Sequence, residues 1–172
     1  MNPRKTVVLI GFVIAALTVL AGMEMSAAPG NNDLHQPIRF DHARHMKEDM
    51  KCTDCHQEAA RSPYATFPSI KACLMCHKEA KGTDPEEPKV REFAKAGHEI
   101  PWIQVNRLPG HVYFSHGMHV AMGKMDCAEC HGDMKQVNQP VETPQISHLT
   151  MAKCQACHET RHVANECLTC HK

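Results

Sequence analysis

Apolar positions are unevenly spread along this chain. From Val7 to Gly22 they run almost unbroken, with Thr18 the one polar interruption and Glu24 closing the run. Lys89 to Ala96 carries the start and stop signals of a short helix, because Pro88 suits a first helical position and Gly97 a C-terminal cap. Ile103-Gln104-Val105 and Val112-Tyr113-Phe114 lie on either side of the turn signal Pro109-Gly110 and are expected to pair as a small β-hairpin. Elsewhere the pattern is too brief for long elements. The expected fold is mostly irregular, with short α-helices and that hairpin, behind one N-terminal transmembrane helix.

Residues 1–28 read as an N-terminal signal or membrane-anchor helix. Arg4 and Lys5 ahead of the apolar run hold the N-terminus in the cytoplasm, which sends the rest of the chain across the membrane. Ser26-Ala27-Ala28 offers small residues for cleavage, but a cut after Ala28 leaves Pro29 just beyond the bond. The other frames put Met23 or Met25 at the small-residue position. The segment is therefore expected to stay as a single anchor in the lipid bilayer of the cytoplasmic membrane, with the remainder on the periplasmic side. If it were cleaved, the product would be free in the periplasm. Residues 29–37, rich in Gly, Asn, Asp and Pro, read as a tether.

Composition sharpens this picture. Lys plus Arg and Asp plus Glu balance at 19 each, so the chain has no basic footprint for nucleic acid. Only 5% of the 172 residues are aromatic, while ten are cysteine. A chain this small with so thin an apolar core should lean on cofactors or cross-links for stability. Phe40-x-His42-x-x-His45 ahead of Cys52 recurs as Phe114-x-His116-x-x-His119 ahead of Cys127, so the chain contains an internal repeat. The modules are expected at 38–82 and 102–172, joined by the Pro- and charge-rich linker 83–101.

All ten cysteines fall in Cys-x-x-Cys-His motifs: Cys52 and Cys55 before His56, Cys73 and Cys76 before His77, Cys127 and Cys130 before His131, Cys154 and Cys157 before His158, and Cys167 and Cys170 before His171. Two thiols one helical turn apart can each form a thioether with a haem vinyl, and the next histidine reaches the iron from that face. Four-thiolate zinc sites would use the pairs two at a time, strand a fifth pair and leave the histidines unexplained. A disulfide framework is allowed outside the cytoplasm but explains neither the constant spacing nor the histidines. Five covalently bound haems c follow, organising the fold by their own packing.

Each iron needs a ligand on its other face. Nine further histidines are available: His35, His42, His45, His98, His111, His116, His119, His148 and His162. Bis-histidine ligation throughout is the economical reading, and it favours low potentials. Met118, Met122 and Met125 are alternative ligands near the Cys127 motif, although methionine more often packs against a flat apolar group.

From Val112 to Lys172 the chain resembles the class III multihaem cytochromes, especially their small three-haem members. The resemblance rests on the Phe-x-His-x-x-His segment before the first motif, a further histidine before the second, and two motifs close together at the C-terminus. It implies that His116 serves the Cys127 haem, His119 the Cys154 haem and His148 the Cys167 haem. Carried to the first repeat, which has only two motifs, it implies His42 for the Cys52 haem and His45 for the Cys73 haem. His35, His98, His111 and His162 are then spare, with His98 the expected substitute should one assignment fail. Most of the chain also resembles the pentahaem cytochrome subunits of alternative complex III, through the stretch Pro101-Trp102-Ile103 to Pro109-Gly110-His111-Val112-Tyr113-Phe114-Ser115-His116 and the division into two and three haems. A related six-haem subunit occurs in quinone reductase complexes of sulfate reducers, and five motifs favour the former. The resemblance implies partners: an iron–sulfur protein and integral quinol-binding membrane subunits, with a monohaem cytochrome or another periplasmic acceptor.

The chemistry so implied is electron transfer within a quinol-oxidising membrane complex of a respiratory or photosynthetic chain, with no catalytic residue. An independent periplasmic shuttle would use the same haems without the complex. A multihaem reductase needs an iron with an open position, and neither a variant motif nor a shortage of histidine suggests one.

Overall fold

The computed structural model describes residues 34–145 and 149–172, which belong to one compact unit, Leu34–Lys172. The helix expected over residues 1–28 lies outside the described residues, as does His148. Among the described residues no helix is long and apolar enough to cross a membrane.

The described chain is short helices joined by irregular segments. In order they are α1 His42–Met46, α2 Cys52–Cys55, α3 Ile70–His77, α4 Pro88–Lys95, a π-helical turn Met118–Met122, α5 Cys127–His131, a 3-10 turn Met134–Gln136, α6 Met151–Thr160 and α7 Cys167–Cys170. Local chemistry sets their ends. Asp41 caps α1 by accepting from the Arg44 N–H at 2.8 Å. Asp126 and Glu129 form a reciprocal capping box at the start of α5. Pro88 opens α4 and Gly97, at φ 72°, closes it in the left-handed region, as the residue signals required.

The expected β-hairpin does not form, and the described residues contain no strand. Both halves have their backbone groups engaged elsewhere. The Gln36 side chain holds Ile103 through both its N–H and its C=O, at 3.0 and 2.9 Å. Val112 makes an isolated antiparallel bridge with His171, supported by Tyr113 N–H to Cys170 C=O at 2.7 Å and Lys172 N–H to His111 C=O at 3.1 Å. Three alternating residues on each side were too few to outweigh these partners.

The apolar core is small: Ile38, Val90 and Ile100 are buried, with Ile70, Cys73, Leu74, Phe93 and Trp102 packed around them. It cements α3 to α4, so the second Cys-x-x-Cys-His motif sits on the best-packed part of the molecule. Elsewhere large apolar side chains stand open, among them Tyr64, Met75, Met122 and Leu168.

Candidate functional site

Every described motif places its two cysteines on consecutive turns of a short helix, α2, α3, α5, α6 or α7. None of the ten thiols is in a disulfide. Burial pushes the Cys55, Cys73, Cys127, Cys130 and Cys154 thiols above the ordinary value. Thiols so placed are less ionised than those of reactive redox dithiols. Among the described residues no three His, Cys, Asp or Glu side chains converge to hold a bare metal ion.

The histidines come together in pairs. Ring centres lie 6.1 Å apart for His45 and His77, 6.2 Å for His116 and His131, and 6.0 Å for His119 and His158. Two imidazoles bonded to opposite faces of one ion, each at a metal–nitrogen distance of ~2 Å, have ring centres about 6 Å apart. Paired ligands without a third are what a haem requires, because the macrocycle supplies the equatorial nitrogens. His42 also neighbours His56; burial first, then the His56 and His45 imidazoles, push its pKa down to about 4, so it is neutral and has a lone pair to give.

Tautomers are fixed in the sense that ligation needs. Nδ1 of His45, His56, His77, His116, His119 and His158 each meets an acceptor that carries no hydrogen: Asp41 C=O at 2.8 Å, Thr66 C=O at 2.8 Å, the Glu87 carboxylate at 2.9 Å, Pro63 C=O at 3.0 Å, Ser115 C=O at 2.8 Å and Ala164 C=O at 2.7 Å. Nδ1 must then donate, which leaves the Nε2 lone pair free for a metal. Thr66 reaches His56 from φ 59°, a conformation uncommon for a β-branched residue. The Glu87 carboxyl is held down at about 2, first by the hydrogen bond from His77 and then by the Lys81 N–H.

The two repeats share one local design. Phe40 stacks on His45 with ring centres 4.3 Å apart, and Phe114 on His119 at 4.7 Å. The same rings meet His42 and His116 edge-on, both at 4.8 Å. Each phenylalanine therefore sets the planes of two histidines on successive turns. Two buried nitrogens near Phe40, His42 Nδ1 and Trp102 Nε1, have no hydrogen-bond partner among the described residues. Orphaned donors of this kind suit the propionate oxygens that a haem brings.

Several histidines fall outside these pairs. His98 is exposed after α4, and His162 is exposed at φ 53°. His35 meets Glu142 at 3.3 Å. The residue that sequence reasoning passed over is His111, whose ring stacks beside His171 at 5.4 Å and 21°. The signal available was its place immediately before Val112, but nothing in the sequence revealed the bridge that carries Val112 to His171.

Two families match the chain in turn. The class III cytochrome c family matches residues 21–105, and cytochrome c7 and related cytochromes c match residues 112–172. The multihaem cytochrome c subunit of menaquinone reductase from Nitratidesulfovibrio vulgaris, strain Hildenborough, is 32% identical over 162 residues, covering 80% of this chain and 77% of that protein.

Proposed function

Since the chain belongs to the class III multihaem cytochromes c, we propose that it binds five haems c, each with two axial histidines, and serves as the membrane-anchored electron-transfer subunit of a quinone-linked respiratory complex. The pairing of imidazoles about 6 Å apart, with Nδ1 of His45, His77, His116, His119 and His158 tied back and their Nε2 free, carries this reading. Each haem, when attached, supplies a one-electron couple. The polypeptide does the rest. Paired thiols would fix each macrocycle and histidines would hold its iron, while the acceptors on Nδ1 of His45, His56, His77, His116, His119 and His158 hold those imidazoles in one orientation and raise their basicity. No side chain is called on for bond chemistry, so the subunit itself is not an enzyme. His42, His45, His116, His119 and His148 are the proposed second ligands for the Cys52, Cys73, Cys127, Cys154 and Cys167 haems.

Quinol oxidation, as in alternative complex III, is the direction that five motifs and the Pro101 to His116 stretch favour, with iron–sulfur and integral membrane subunits as partners. The menaquinone reductase relative favours a second reading, electron flow toward quinone. Retention of residues 1–28 would hold the haem region at the periplasmic face.

The experiment has three steps. A pyridine haemochrome assay should count five haems, and the reduced protein should bind no carbon monoxide; a colourless or zinc-loaded product overturns the proposal. Detergent extraction should bring the cytochrome out with membrane subunits and an intact N-terminus by mass spectrometry, whereas a lone soluble cytochrome would make it a shuttle. The purified particle, mixed with menaquinol and with menaquinone, then separates the two directions.

A further inference from the structure

We infer that the five motifs are laid out in space as one unbranched series, in the order Cys73–His77, Cys52–His56, Cys127–His131, Cys154–His158, Cys167–His171, so that the second motif and the last in sequence are the ends of the electron path. The inference rests on the haem reading above and adds an order which the sequence does not contain. Chain order would put the Cys52 motif at one end. The structure puts it inside.

Each link has a structural cause. The Cys73 and Cys52 motifs share helix α1: His45 lies 6.1 Å from His77, and His42, one turn earlier, neighbours His56. Residues three apart on a helix have Cβ atoms about 5–6 Å apart, so groups bound to both are neighbours.

The Cys52 and Cys127 motifs are tied across the two repeats by backbone hydrogen bonds. The loop after the first motif also holds the histidine of the third. Gly117 N–H donates to Ser62 C=O at 2.9 Å, and His116 donates to Pro63 C=O from its backbone N–H at 3.2 Å and from Nδ1 at 3.0 Å.

The Cys127 and Cys154 motifs repeat the first device. His116 and His119, three residues apart, lie 6.2 Å from His131 and 6.0 Å from His158. Arg161, at the end of α6, also pairs with Glu129 in α5 at 2.9 Å. The last link is that of the Cys154 and Cys167 motifs, where the connection from α6 to α7 folds back on α6: His158 Nδ1 donates to Ala164 C=O at 2.7 Å and the Asn165 side-chain amide to Glu159 at 3.1 Å, just ahead of Cys167.

The residues between the cysteines follow the same order. Inside the series they are Thr53-Asp54, Ala128-Glu129 and Gln155-Ala156, polar or small. At the ends they are Leu74-Met75 and Leu168-Thr169, and there Met75 is 73% and Leu168 85% exposed. Open apolar surface beside an attachment cysteine thus occurs at the two motifs that have a neighbour on one side only.

The test is a proton NMR map of the reduced, fully loaded protein, with each haem assigned through its thioether cysteines. Cross-peaks between haems are expected for the four neighbouring pairs of the series. Contact between the Cys73 haem and the Cys127, Cys154 or Cys167 haem would overturn the order, and so would loss of contact between the Cys52 and Cys127 haems. A second measurement uses attachment variants. Cys52→Ala with Cys55→Ala should abolish fast electron equilibration between the Cys73 haem and the rest after flash reduction, whereas Cys73→Ala with Cys76→Ala should leave the remaining four equilibrating. Equal behaviour of the two variants refutes the series. Failure of the underlying reading is distinguishable, because it would appear as a haem count other than five before any contact is mapped.

Discussion

Gly117→Ala tests the seam between the repeats. Gly117 has ordinary right-handed helical backbone, at φ −57° and ψ −39°, so alanine alone would stabilise by about 0.4–1 kcal/mol through the unfolded chain. Its new Cβ would however stand 3.1 Å from Arg61 C, 3.3 Å from Ser62 N and 3.4 Å from Arg61 O, all backbone. That loop cannot easily retreat, because Arg61 and Ser62 N–H groups both donate to Glu58 C=O, at 3.0 and 2.8 Å. Overpacking of this kind costs roughly 1–3 kcal/mol. The three hydrogen bonds from Gly117 and His116 to Ser62 and Pro63 lengthen with it, each worth about 1 kcal/mol if lost. The clash outweighs the helix gain, for a net loss of about 1–2 kcal/mol. At ~2–4 °C per kcal/mol for a chain of this size, the loaded protein should melt about 2–8 °C lower. One low-spin EPR signal, that of the haem held by His116, should shift with it. Gly82→Ala is the control, since nothing lies within 4 Å of its Cβ. If both variants melt together and the EPR spectrum is unchanged, the seam does not hold His116.

Glu87→Gln keeps an acceptor for His77 Nδ1 but removes the charge that makes the imidazole a stronger donor to iron. In a redox titration one of five transitions should move to higher potential, and five unchanged transitions would show that the carboxylate does not tune that haem. Ile100→Ala removes one of the three buried apolar side chains among the described residues and should cost about 2–4 kcal/mol, read as a lower melting temperature beside a nearly silent Leu108→Ala control. A chain made without haem attachment should show no cooperative melt by circular dichroism and should be digested rapidly by protease; a sharp transition in such material would mean that the polypeptide core suffices.

What the sequence displayed most clearly was chemistry that depends on fixed spacing. The attachment motifs and the Phe-x-His-x-x-His segments are local, and a helical turn carries them into space unchanged. The α4 boundaries were equally readable, because Pro88 and Gly97 act on their own neighbours. The hairpin was misjudged because alternation of apolar and polar residues reports a sheet only when there is a sheet face to bury. Here Ile103 is held by a glutamine distant in sequence, and Val112 by the C-terminus. The seam was invisible for a related reason. It joins Ser62 and Pro63 to Gly117 and His116 mostly through backbone groups, which leave no residue pattern.

The scarcity of buried side chains follows from the same logic. Ile38, Val90 and Ile100 alone could not organise a chain this long, given that ordering each residue costs about 1–2 kcal/mol of backbone entropy. Yet several of the exposed apolar side chains stand beside the motifs and the paired histidines. Met75 and Leu168 stand within attachment motifs, Met118 and Met122 on the turn that carries His119, and Phe114 against both His116 and His119. They gather around positions where paired histidines leave room for a flat apolar disc. Such a disc buries these side chains without asking the polypeptide to fold over them, and thioether bonds make its contribution permanent. Close spacing of the motifs is then a structural necessity as well as an electronic one, because each haem must help cover the apolar surface beside the next.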